Sequence, residues 1–191
     1  RFSVAAGLVK GHGFTSETEA LRAMADGMNL IPGWRSLPAL AGLVEFGSFT
    51  RHPRVGNPGE VVWRDVPSRS TQNRIGLRNP GAVAAAAFLA AHRSKLPQDF
   101  GINIATSPGV TDPQQDIQDV LEAFGAFIRQ GVRPAWFTLN LSCPNTEDDP
   151  SGRQTEEQTH RLCRAVIEYF QAQGVTTPLW VKISPELAPQ Q

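Results

Sequence analysis

Residues 138–146 set amides, hydroxyls, a thiol and a proline at the end of an apolar run. They read Thr138-Leu139-Asn140-Leu141-Ser142-Cys143-Pro144-Asn145-Thr146 and follow Trp136 and Phe137. This is the pattern of a buried strand whose end places polar groups at a mouth. Asn140 and Asn145 offer both N–H donors and carbonyl acceptors, a set suited to a small planar ligand that carries imide N–H and C=O groups. Cys143 between them can serve as base or nucleophile, the thiolate being the reactive form. Pro144 fixes the backbone where the strand stops and so holds the cysteine rigidly. A free cysteine is often just a small buried apolar residue. The flanking amides and the strand-end position favour chemistry at Cys143, whereas Cys163 falls within a helical pattern and reads as packing.

Two further polar residues interrupt apolar runs. Asn103 lies within Phe100-Gly101-Ile102-Asn103-Ile104, and Lys182 within Leu179-Trp180-Val181-Lys182-Ile183. Asparagine normally serves turns and caps, so one inside an apolar strand points to a ligand. A lysine there could snorkel, but a strand covered by helices leaves its amine few exits except the interior or the mouth. Lys10, near Gly7 and Gly11, reads either as a solvated loop lysine or as a ligand contact. Asn73 follows Ser70-Thr71-Gln72 in a loop, and a turn role and a ligand role balance there. The histidines have no ligand spacing, so no metal site is expected. Gly7, Gly11 and Gly13 do not make a dinucleotide fingerprint.

The elements that must position these residues alternate. Strands are expected at residues 2–6, 43–47, 100–104, 136–141 and 179–183, short and mostly apolar, as in parallel strands covered on both faces. Helices are expected at 16–24, opened by a capping box, at 82–92, at 114–130 after Asp112-Pro113, and at 155–173, stopped by Gly174. Strand alternating with helix gives a parallel α/β sheet. Residues 29–41 read as an inserted loop. Residues 51–79, rich in Arg, Pro and Gly, read as a cover over one end of the sheet, most of their arginines solvated. Polar residues fall near the carboxyl ends of the strands, which is where parallel α/β folds carry their sites. A complete (β/α)8 barrel takes about 250 residues. Five strands in 191 residues match the first five βα units of one.

Bulk properties narrow the classes. Lys plus Arg balance Asp plus Glu at 18 each, which argues against nucleic acid as the main partner. No apolar run approaches the roughly 18 residues of a membrane span. Two cysteines give no disulfide framework. The chain reads as a single domain that is a piece of a longer protein, incomplete at both ends.

With these residues laid out, the chain resembles the dihydroorotate dehydrogenase family. The matching segments, in family order, are Ala5-Ala6-Gly7-Leu8-Val9-Lys10, Glu45-Phe46-Gly47-Ser48-Phe49-Thr50, Gly56-Asn57-Pro58, Asn73-Arg74-Ile75-Gly76-Leu77, Gly101-Ile102-Asn103-Ile104, Asn140 to Thr146, and Val181-Lys182-Ile183-Ser184-Pro185. The resemblance implies a (β/α)8 barrel with FMN across its mouth, oxidising dihydroorotate to orotate in pyrimidine biosynthesis. It implies that Ala5, Ala6, Gly7 and Ser48 back the flavin and that Lys10, Asn103, Asn140 and Lys182 contact it. Lys10, Asn73, Asn140 and Asn145 would hold the substrate, and Cys143 would be the base. Cys143 and Leu77 are similar to the soluble class 1 enzymes. Lys10 and Gly47-Ser48 are similar to the membrane-associated class 2 enzymes. The electron acceptor is accordingly open among fumarate, NAD through a partner subunit, and quinone. A homodimer is compatible with the resemblance. So is a cytoplasmic location, peripheral at a membrane if the class 2 features govern. Two other readings stand beside this one: a flavin barrel like that of dihydropyrimidine dehydrogenase, and a truncated, non-catalytic barrel piece.

Overall fold

A computed structural model of the chain describes residues 2–3, 42–143 and 156–184. Its main sheet has five parallel strands in the order β1-β2-β5-β6-β7: β1 Phe2–Ser3, β2 Val44–Phe49, β5 Phe100–Ala105, β6 Trp136–Asn140 and β7 Leu179–Lys182. Helices α1 Ala82–Ala91, α2 Pro113–Arg129 and α3 Glu156–Ala172 make the crossovers from β2 onward. A short hairpin, β3 Val62–Asp65 with β4 Ser70–Asn73, lies between β2 and α1. The expectations for residues 4–6, 16–24 and 29–41 lie outside the described residues.

Alternation along the strands divides the sheet into two unlike faces. Val44, Phe46, Phe100, Ile102, Ile104, Phe137 and Leu139 join one buried core with Ala85, Ala86 and Leu89 of α1, Val120, Phe124 and Phe127 of α2, and Leu162, Val166 and Phe170 of α3. At its centre Phe124 meets Phe137 and Phe170 edge-on, with ring centroids 5.3 and 5.4 Å away. Such aromatic pairs add about 0.5–1.5 kcal/mol each beyond the area they bury. The other face carries Glu45, Gly101, Asn103, Trp136, Thr138 and, at the carboxyl edge, Asn140 and Lys182. The helices are therefore the glue, and the opposite face is left for chemistry.

Local signals explain the helix starts and stops. The Asp112 side chain accepts a 3.0 Å hydrogen bond from the Gln114 N–H, and Pro113 occupies the first turn of α2, where its missing N–H costs nothing. Gly174, at φ +65°, follows α3 and supplies the left-handed turn that ends it.

Residues 51–79 form more structure than an irregular cover. The antiparallel hairpin pairs Val62 with Asn73 and Asp65 with Ser70, and all eight of its strand residues are exposed. The segment is pinned at its base by Asn79, which is buried. Its Oδ1 accepts from the backbone N–H of Thr50 and of Gly81, at 3.2 and 2.8 Å. Its Nδ2 donates to Thr50 Oγ1 and to the Leu77 carbonyl, at 3.0 and 2.7 Å. Arg51 is not one of the solvated arginines. Its guanidinium reaches Asp119 and Glu122 of α2, each at 2.7 Å.

Candidate active site

The carboxyl edge of the sheet is built by register. Ala105, Asn140 and Lys182 are laterally paired on β5, β6 and β7. Ser48 comes from β2, where the pairing with β5 shifts between Phe46 and Phe49. It lies inside the strand, which runs two residues further than the expected 43–47. The Gly47–Ser48 peptide is cis.

These residues touch. Asn140 Nδ2 donates to Ser48 Oγ at 2.8 Å. Asn140 Oδ1 accepts from the Ser142 N–H at 3.1 Å and from Lys182 Nζ at 3.4 Å. Lys182 Nζ also donates to Ser142 Oγ at 3.0 Å and to the Ser142 carbonyl at 3.2 Å. The Ser142 bond to Asn140 closes an Asx-type turn, which swings the chain off the strand end and delivers half-buried Cys143 beside the cluster. Ser48, Asn140 and Lys182, from three strands, thus meet at one rim, with Cys143 next along the chain. Ser142 joins them, a residue that sequence reasoning gave no separate role.

One pleat below the rim lies a second polar group that sequence reasoning missed. Glu45 is 2% exposed. Its carboxylate accepts from Asn103 Nδ2 at 2.8 Å, Trp136 Nε1 at 3.0 Å and Thr138 Oγ1 at 2.5 Å. The signal was a charged residue within the apolar run Leu43-Val44-Glu45-Phe46. A buried carboxylate is tolerated only when it is well hydrogen-bonded, and this one draws these three donors from β5 and β6. Gly101 makes the arrangement possible, since a Cβ there would stand 2.2 Å from the Trp136 ring. The Trp136 indole also stacks on Trp180, with centroids 4.7 Å apart. Asn103 is 4% exposed, and its Oδ1 has no hydrogen-bond partner among the described residues.

Asn73 is not on the sheet. It ends β4 of the exposed hairpin, where its Oδ1 faces the Ile75 N–H at 3.4 Å. Ala5, Ala6, Gly7, Lys10 and Asn145 lie outside the described residues. Cys163, on α3, packs against the core, and burial raises its thiol pKa, in line with a packing role. No helix among the described residues is long and apolar enough to cross a membrane.

A parallel sheet covered by helices on one face, with a polar opposite face and polar side chains at its carboxyl edge, is the arrangement of the first portion of a (β/α)8 barrel, a fold whose sites lie at that edge. Solved structures of DHODH from Eimeria tenella agree in fold. The ferulenol complex matches at a TM-score of 0.60 and 22% identity, covering 78% of this chain and 44% of that one. The ligand-free form matches at 0.61, covering 78% and 46%.

A family model described as dihydroorotate dehydrogenase matches residues 33–191, and the chain belongs to that family. Curated relatives include proteins named dihydroorotate dehydrogenase (quinone). That of Gloeobacter violaceus is 35% identical over 146 residues, covering 76% of this chain and 38% of the relative. That of Salinispora arenicola is 34% identical over 168 residues, covering 85% and 44%. The chain therefore spans less than half the length of these relatives.

Proposed function

We propose that the protein carrying this chain is an FMN-dependent dihydroorotate dehydrogenase of pyrimidine biosynthesis that passes electrons to a quinone. The observation that carries the reading is the rim itself: Ser48, Asn140 and Lys182 in one hydrogen-bonded group, with Cys143 beside it. The acceptor is suggested by the relatives named for quinone.

The residues fit a flavin. The partnerless Oδ1 of Asn103 is a buried acceptor of the kind that a ring N–H or a ribityl hydroxyl would satisfy. Lys182 brings a cationic amine to the rim, suited to negative charge on a reduced ring. When bound, FMN supplies the two-electron acceptor for the hydride that leaves one substrate carbon.

The chain's own residues supply the rest. Oxidation of dihydroorotate also breaks a C–H bond on the neighbouring carbon, and Cys143 Sγ takes that proton as general base. The Ser142 turn sets the position of the thiol. Asn140, with Lys10, Asn73 and Asn145, holds the ring through donors and acceptors that carry no charge to desolvate, apart from the Lys10 amine. Asn73 would join from the hairpin, which requires that arm to lie over the mouth when substrate is bound.

Steady-state assays of the full-length protein test this reading, with dihydroorotate or dihydrouracil as donor and a quinone as acceptor. Turnover of dihydroorotate is expected. Turnover of dihydrouracil alone would favour the dihydropyrimidine dehydrogenase-like reading, and a protein that takes up no flavin would favour the non-catalytic one.

A further inference from the structure

Asn103 can face a ligand with either end of its amide, and the ends have opposite polarity. Its Nδ2 is held by Glu45 Oε1 at 2.8 Å. The two amide atoms diverge from Cγ, so this bond turns Oδ1 away from the carboxylate. That Oδ1 is buried and has no partner among the described residues. Glu45 is held in turn. Trp136 Nε1–H can only donate, and it points at Oε2 from 3.0 Å, next to the Thr138 hydroxyl. Gly101 leaves the space in which the indole sits.

We infer that Glu45 is a positioning residue: it fixes the Asn103 amide so that only a carbonyl oxygen faces the bound cofactor, selecting a group that offers an N–H there. The inference rests on the flavin reading above and goes beyond it, because it assigns the polarity of the contact to a residue that need not touch the cofactor.

The consequence is a sign change that a merely structural Glu45 would not produce. In Glu45→Gln, the new amide must keep its oxygen toward Trp136, which cannot accept. Its Nε2 then faces Asn103. The Asn103 amide has to turn over, giving Oδ1 to residue 45 and Nδ2 to the cofactor. An N–H then meets an N–H, which cannot accept, and affinity falls. Adding Asn103→Asp moves the carboxylate from position 45 to position 103 without changing its number. Residue 103 then accepts from residue 45, and an oxygen again faces the cofactor.

The test is FMN titration of the deflavinated full-length protein, followed by flavin fluorescence, with thermal unfolding measured on every variant. Glu45→Gln is expected to weaken FMN binding at least tenfold. The double variant Glu45→Gln/Asn103→Asp is expected to return to within about threefold of wild type. Asn103→Ala should bind weakly, with or without Glu45→Gln. Wild-type affinity in Glu45→Gln, or a double variant no better than Glu45→Gln, would overturn the role of Glu45. Should Glu45→Gln not fold, Asn103→Asp alone decides. It sets two carboxyl groups face to face, and the double variant must bind FMN at least tenfold more tightly than it does. Wild-type protein that binds no FMN would instead reject the flavin reading, and this inference with it.

Discussion

Lys182 Nζ stands 3.4 Å from Asn140 Oδ1 and ties the last residue of β7 to the last residue of β6. The same amine reaches both oxygens of Ser142. One cation therefore sets the strand end and the first residues of the loop that bears Cys143. Lys182→Met keeps most of the stem and removes the charge and its donors. Hydrogen bonds to charged groups are worth about 1.5–3 kcal/mol. FMN affinity of the full-length protein is expected to fall roughly 10- to 100-fold, read by fluorescence titration. An unchanged affinity would show that the amine serves only the loop.

Cys143 carries the proton step in the proposed reaction. General bases contribute about 10²–10⁴-fold, and Cys143→Ala is expected to lower kcat by that factor while FMN binding stays close to wild type. Cys143→Ser should retain part of the rate. Near-wild-type turnover in Cys143→Ala would remove Cys143 from the mechanism.

Gly101 has no room for a side chain, because a Cβ would lie 2.2 Å from the Trp136 ring. Gly101→Ala must push the indole off Glu45 or bend β5. Overpacking of this kind costs about 1–3 kcal/mol. Urea denaturation should show that loss, together with a change in tryptophan fluorescence.

Asp119 gives the fold an acid-sensitive contact. Burial pushes its carboxyl pKa up, but hydrogen bonds from Ser107, Arg51 and Gln115 and the charge of Arg51 outweigh that, leaving it below the ordinary 3.8. A carboxylate whose pKa is lowered by folding stabilises the native state at neutral pH. That contribution is lost as pH falls through the folded value. The stability difference between wild type and Asp119→Asn should be present at about pH 6 and should shrink below pH 3.8. A difference that grows on acidification would contradict the pairing with Arg51.

The elements that could be read from sequence are those with a strong period or a plain stop. β5, β6, α2 and α3 stand within a residue or two of expectation because their apolar residues repeat, Asp112-Pro113 opens α2 and Gly174 closes α3. The β3–β4 hairpin was missed because its strands are four residues each and exposed on both faces. Without a buried face there is no hydrophobic alternation to detect. Asn140 and Lys182 were legible as polar residues within apolar strands, and the structure brings them together. Glu45 carried the same signal and went unread, since a lone acid in a strand does not disclose donors that arrive from Asn103, Trp136 and Thr138, residues 58 to 93 positions away. Asn79 stood out only as the end of the 51–79 segment, and its hold on Thr50 is likewise a tertiary fact. Arg51 could not be told from the solvated arginines of its segment because its partners on α2 are remote in sequence.

Anaerobic mixing of the flavin-loaded full-length protein with dihydroorotate tests the central claim most directly. The account predicts bleaching of the visible flavin band and one orotate formed per flavin reduced, with bleaching slowed in Cys143→Ala. A loaded flavin that stays oxidised in the presence of dihydroorotate would contradict it.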